Sequence, residues 1–133
     1  MSKKIIAAII IILVIIVGLY QYNRKVPSLE SINADYSLSS NELYDAFEND
    51  EKQALTLYEN KVIDVSGKVL SIKEEGGTSV IVIESENAMI GGINCSFNEK
   101  INNIQEGQVL TIRGRCQGFL MDVILNNCII INE

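Results

Sequence analysis

Arg113 and Arg115 lie two residues apart in VLTIRGRC, so on a strand both side chains project from one face. With Lys73 or Lys68 they form the basic set that an anionic ligand would meet, and Phe119, a few residues on, supplies a ring against which a ligand could stack. The same two arginines would equally pair with the chain's own carboxylates, and the excess of acids favours that use. Other chemistry is sparse. The sequence has no histidine, so a serine or cysteine nucleophile would lack its usual general base. Asp122 is better suited to bonding backbone N–H groups at a turn than to catalysis. Gly76-Gly77 and Gly91-Gly92 do not precede a helix in the manner of a phosphate-binding loop. Cys95, Cys116 and Cys128 contain no C-x-x-C pair, and without histidine a zinc site would need another kind of ligand. A non-enzymatic chain without metal or cofactor is expected.

The elements that must position these residues begin with an anchor. Ile5 to Tyr22 is an uncharged run of 18 residues, which as a helix spans roughly 27 Å, enough for a bilayer core. Lys3 and Lys4 precede it, Tyr20 and Tyr22 occupy interfacial positions, and Arg24 and Lys25 end it. The length and the lack of a small-x-small site favour an uncleaved signal anchor over a cleaved signal peptide. The expected division is an anchor over 1–25, a stalk over 26–38 and one folded domain over 39–133. The basic N-terminal tip favours the amino terminus inside, with the domain periplasmic or otherwise extracytoplasmic. Beyond the anchor, seven basic residues face seventeen acidic ones. That balance is unfriendly to a phosphate backbone.

Within the domain, residues 39–60 form a helical lead-in and 61–133 the strands. Ser39-x-x-Glu42 is a capping box, Leu43, Ala46 and Phe47 make one apolar helix face, and Asp50 and Glu51 open a second segment through Ala54, Leu55 and Tyr58. The acids of this region read as a solvated face, since no calcium-loop pattern is present. From Lys61 the periodicity changes. KVIDVSGKVLSI carries Gly67 in mid-strand, where a barrel strand would bend or bulge. Ser79–Glu84, Met89–Phe97, Gln108–Cys116 and Met121–Ile131 follow as strands. Asn98–Gly107 has room for about one helical turn. The last strand is apolar on both parities, which implies cover on both sides for part of its length.

Five strands with a short helical connection before the fourth match the order of a mainly β, five-stranded OB-fold barrel. The lead-in LSSNELYDAFENDEKQALTLYENKVIDVSGKV, the segment INCSFNE and the hairpin EGQVLTIRGRCQGFLMDVILNNC, with the preceding anchor, resemble the small bacterial OB-fold proteins grouped as tRNA-anticodon-binding-domain-like. The resemblance covers about 38–131 and implies a barrel on a membrane or lipid anchor. There is no N-terminal cysteine for a lipid, so the apolar helix must do the anchoring. In the OB order the fifth strand runs parallel beside the third, which brings Cys95 and Cys128 to the same end and makes them the favoured disulfide pair. Three buried, reduced cysteines are the competing reading.

The expected function is that of a membrane-anchored binding module of the envelope, with a protein or an envelope oligosaccharide as partner. Single-stranded nucleic acid is the alternative, disfavoured by the acidic charge and by the barrel's two aromatics, Phe97 and Phe119. The first reading predicts an exposed apolar or mixed patch on the barrel. The second predicts that Lys73, Arg113 and Arg115 converge with Phe119 or Phe97 on one groove.

Overall fold

In the computed structural model, residues 2–22 and 29–132 are described. The anchor is a helix, α1 (Lys3–Tyr22), with a mean hydropathy of 2.7 and none of its residues buried. It is long and apolar enough to cross a membrane. Arg24, Lys25 and the start of the expected stalk, Pro27 included, lie outside the described residues.

The rest of that stalk is packed. Leu29 opens a 3-10 turn (Leu29–Ser31) and is buried, and Tyr36–Ser39 forms a strand, β1, parallel to the next strand in the chain. Two short helices follow, α2 (Ser40–Asn49) and α3 (Glu51–Tyr58). The Ser39 side chain accepts the Glu42 N–H and the Asp50 side chain accepts the Gln53 N–H, so both helix starts are capped where the sequence placed them. Leu43, Tyr44 and Phe47 turn the buried face of α2 onto the strands.

The barrel strands are β2 (Val62–Glu75), β3 (Thr78–Glu84), β4 (Gly92–Ser96), β5 (Val109–Leu120) and β6 (Asp122–Asn132). Their order, β2-β3-β4-β6-β5, is closed by antiparallel pairing of Val62–Lys68 with Arg115–Val109. This is the five-stranded OB topology. β1 lies outside that count: it pairs with Ile63–Ser66 along the edge of β2 that β3 leaves open. Alternate inward residues fill the interior, among them Val65 and Val69 of β2, Ile81 and Ile83 of β3, Ile93 of β4 and Leu110 and Ile112 of β5.

Two local expectations are corrected and a third is refined. Residues 97–108 contain no helix; Ile101 and Ile104 instead pack from an irregular connection held by the Ser79 hydroxyl, which accepts the Ile101 N–H at 2.8 Å. Met89 and Ile90 precede β4 rather than open it. The two-parity pattern of β6 has two sources: Val123 and Leu125 point inward, Asn127 adopts φ 54° in a bulge and Cys128 then points inward from the other parity, while Ile124 and Ile129 on the remaining face are half-buried and the Leu29–Ser31 turn packs against the strand.

Gly67 is required for a different reason from the one its sequence position suggests. The irregularity of β2 falls between Val69 and Ser71, whereas a Cβ at Gly67 would collide with Ile83 Cγ2 and lie 2.6 Å from Ser40 Oγ. That hydroxyl donates to the Glu84 carbonyl at 2.7 Å and fastens α2 to the barrel. Gly67→Ala is therefore expected to destabilise the protein by about 1–3 kcal/mol through overpacking, read as a lower denaturant midpoint of the full chain in detergent.

Candidate functional site

The four candidate ligand-binding residues do not converge. Arg113 is built into the structure: Nε and Nη2 donate to Asp64 Oδ1 and Oδ2 at 2.7 and 3.0 Å, and Nη1 donates to the carbonyls of Ile32 and Leu29. Both side chains of the pair are about 15% exposed, and the carboxylate holds the guanidinium's pKa above its ordinary value. Arg115 donates to the Asn60 carbonyl at 2.7 Å. Lys73 is exposed opposite Val80, near the Gly76-Gly77 turn. Phe97 is a buried core residue.

Phe119 is the member of that set which does border a groove. It sits at the end of β5 and meets the lead-in, with its ring 5.7 Å from Phe47 in a stacked arrangement and 5.8 Å from Tyr44 edge-on. Phe47 continues to Tyr58, and Tyr58 to Tyr36. The expectation of a ring-poor barrel is thus corrected: the lead-in and β1 bring four aromatics to Phe119. Rings that are far apart in the sequence are joined because α2 and α3 cover this end of the barrel.

The groove beside Phe119 has a volume of about 470 Å³. Tyr44 and Phe119 line it, and two apolar tips flank it: Met89-Ile90 in the loop before β4, and Met121 at the turn between β5 and β6. Met89 is 100% exposed, Ile90 87%, Leu120 79% and Met121 83%. The Met89-Ile90 tip is also a ridge, since a second hollow of about 320 Å³ lies along it, toward Leu70.

The groove's walls are fastened. Asn87 Nδ2 donates to Asp45 Oδ1 at 2.7 Å, and the Glu86 N–H to Asn41 Oδ1 at 2.8 Å, tying the loop to α2. Asp122 accepts the Gly92 N–H at 3.1 Å and so joins β6 to β4. It does bond backbone, as its type predicts, but on a neighbouring strand rather than within its own turn. The charge around the groove is negative: the Tyr44 phenol is pushed above its ordinary pKa first by burial, then by Glu48, Asp122 and Asp45. No lysine or arginine lines the groove among the described residues.

Sequence reasoning missed Tyr44, Met89, Ile90 and Met121. The signal available was the run Phe119-Leu120-Met121, because large apolar residues at a hairpin tip have no interior to enter. The cysteines behave differently from the arginines. All three are buried free thiols. The neighbouring Cys128 side chain and then burial push the Cys95 thiol well above its ordinary value, and burial pushes the Cys116 thiol up to about 11.

A family model described as tRNA_anti-like matches residues 1–130. No curated protein matches the chain. Among solved structures, the chain is similar to a candidate nucleic acid-binding lipoprotein from Klebsiella pneumoniae subsp. pneumoniae, with a TM-score of 0.60 and 17% identity over 72% of this chain and 91% of that one. That likeness shows a shared fold.

Proposed function

The chain belongs to the tRNA_anti-like family, and from that premise we propose that it is a non-enzymatic OB-fold module, held at a membrane by α1, which takes its ligand in the groove between α2 and the β5–β6 turn. The observation that carries this reading is the set of four large, exposed apolar side chains at one end of the barrel. Exposure on this scale concentrated at fastened loop tips is a mark of an interaction site. The lack of histidine supports the non-enzymatic part. From Tyr22 to Leu29 the chain has seven peptide steps, a reach of at most about 25 Å, which tethers the domain close to the bilayer. The basic tip at Lys3 and Lys4 favours an extracytoplasmic domain.

The geometry favours a protein ligand: an apolar segment flanked by lysine or arginine, whose charges would answer Glu48, Asp45 and Asp122. The comparisons favour the other class. The Klebsiella lipoprotein with this barrel is named for nucleic acid, which supports single-stranded nucleic acid over a protein or an envelope oligosaccharide. In that second reading Tyr44 and Phe119 would stack bases, and the phosphates would have to be met by cations from outside the groove's lining.

A photo-crosslinking residue at position 90 of the full chain, in membranes, separates the two. A discrete protein adduct is expected, reduced at least tenfold by Met121→Asp, a substitution at an exposed tip. A nuclease-sensitive adduct, with binding that falls steeply in a salt series, would establish the nucleic-acid reading instead. Absence of any adduct would remove the groove as a ligand site.

A further inference from the structure

The geometry points to a second contact with the membrane: the two apolar tips, Met89-Ile90 and Leu120-Met121, dock into the interfacial layer of the bilayer that α1 enters. The tips stand together because their strands do. Glu84 is level with Gly92 across the loop that carries Met89 and Ile90, Leu120 is level with Asp122, and Asp122 accepts the Gly92 N–H. Both turns therefore project from one end of the barrel, and all four side chains are at least 79% exposed. The bonds of Asn87 and Glu86 to α2 keep the first tip from folding back. Leu70, 41% exposed, adds an apolar shoulder beside the hollow behind it.

A lipid surface is the apolar layer within reach. The tether joins the barrel at Leu29, whose carbonyl accepts from Arg113 Nη1. Arg113 is eight residues from Met121, roughly 26 Å along the strand. The tether from Tyr22 reaches about 25 Å. A barrel lying along the bilayer thus brings the tips to its surface while α1 stays inserted. Tethering of this length holds the tips at an effective concentration on the order of millimolar, so contacts too weak to bind a membrane from solution are enough.

The polar neighbours set the depth and the lipid. Asp45, Glu48 and Asp122 surround Tyr44, and Glu84 and Glu86 line the hollow beside the first tip. No lysine or arginine lines the groove or that hollow among the described residues. These carboxylates stay among the headgroups while the apolar tips enter the acyl boundary, about 5–10 Å deep. They favour a zwitterionic phospholipid, whose ammonium answers them, over a net anionic surface, which repels them. With the tips so placed, the groove between them opens at the headgroup layer, and its ligand is met there. The docking rests on the anchorage by α1 proposed above and not on the class of ligand.

The test uses the full chain reconstituted in phosphatidylcholine vesicles, with a photo-crosslinking residue at position 90 or 121. Position 75 is the reference, exposed on the turn between β2 and β3 at the opposite end of β3. Mass spectrometry of the irradiated protein reads phospholipid adducts. Yields at 90 and 121 are expected to exceed that at 75 by about fivefold or more. Ile90→Asp, at an exposed tip, should lower the yield at 121 by a similar factor, because the tips enter together. Replacing half of the lipid by phosphatidylglycerol should lower the yield at both tips, and salt should restore it. Yields at 90 and 121 no higher than at 75, a yield at 121 indifferent to Ile90→Asp, or yields that rise with phosphatidylglycerol would overturn the docking. Alkaline carbonate extraction of the same vesicles reads the anchor separately. Protein that resists extraction but gives no tip adducts overturns the docking alone, whereas protein that is extracted overturns the anchorage and the docking with it.

Discussion

Arg113→Ala is expected to destabilise the protein by about 3 kcal/mol, at the lower end of the range for breaking a largely buried ion pair from one side. The substitution leaves the Asp64 carboxylate, about 15% exposed, without its two guanidinium bonds. It also removes the bonds to Ile32 and Leu29, which hold the segment before β1 against the barrel. Denaturant melts of the full chain in detergent check the size. A second signature is local: loss of amide protection around Leu29–Ile32 beyond the global change. Arg115, with a single bond to the Asn60 carbonyl, is expected to cost about 0.5–1 kcal/mol when replaced by alanine. The contrast bears on ligand assays. Binding lost in Arg113→Ala would report a loosened lead-in, so that variant is a folding control rather than a probe of an anionic ligand.

How far the sequence carries depends on whether a feature is set locally. The capping residues Ser39 and Asp50, the apolar helix face and the alternation of β5 are each encoded within a few residues, and each appears where its pattern predicts. The barrel order was legible for the same reason, since it needs only the strands and their sequence. Features that depend on a partner far along the chain were not. That Arg113 pairs with one of the chain's own acids could be expected from their excess, but which acid could not: Asp64, 49 residues earlier, is opposite it on β2. Tyr36 to Ser39 are too few to announce a strand, and they become one because β2 offers an unpaired edge. The bulge in β6 could not be separated from two-sided burial, because both place apolar residues on both parities.

The site divides in the same way. Phe119 was legible as a groove residue because its position at the hairpin end follows from strand order. Its surroundings were not, because the rings that meet it come from a lead-in whose placement at this end of the barrel is a tertiary fact. Met89 and Ile90 read as the start of a strand, since apolar residues before Gly91-Gly92 fit a strand pattern equally well. Only their near-complete exposure separates them from the core.

The largest effect is expected at Phe47. Its side chain is 1% exposed at the centre of the aromatic cluster, in contact with both Phe119 and Tyr58. Phe47→Ala should cost about 3–5 kcal/mol, the transfer of a full ring plus the cavity it leaves, and Phe47→Leu a much smaller amount because most of the volume is kept. The two variants separate stability from the site. Phe47 does not line the groove and reaches it through Phe119, on whose ring it stacks while Tyr44 meets that ring edge-on. Phe47→Leu should therefore leave a folded protein in which the Phe119 ring has lost its stacked neighbour, and crosslinking from position 90 should weaken without a matching loss of fold. If crosslinking instead stays at the wild-type level in Phe47→Leu and is lost in Met121→Asp, the ligand is held by the exposed tips alone and the aromatic floor serves only the fold.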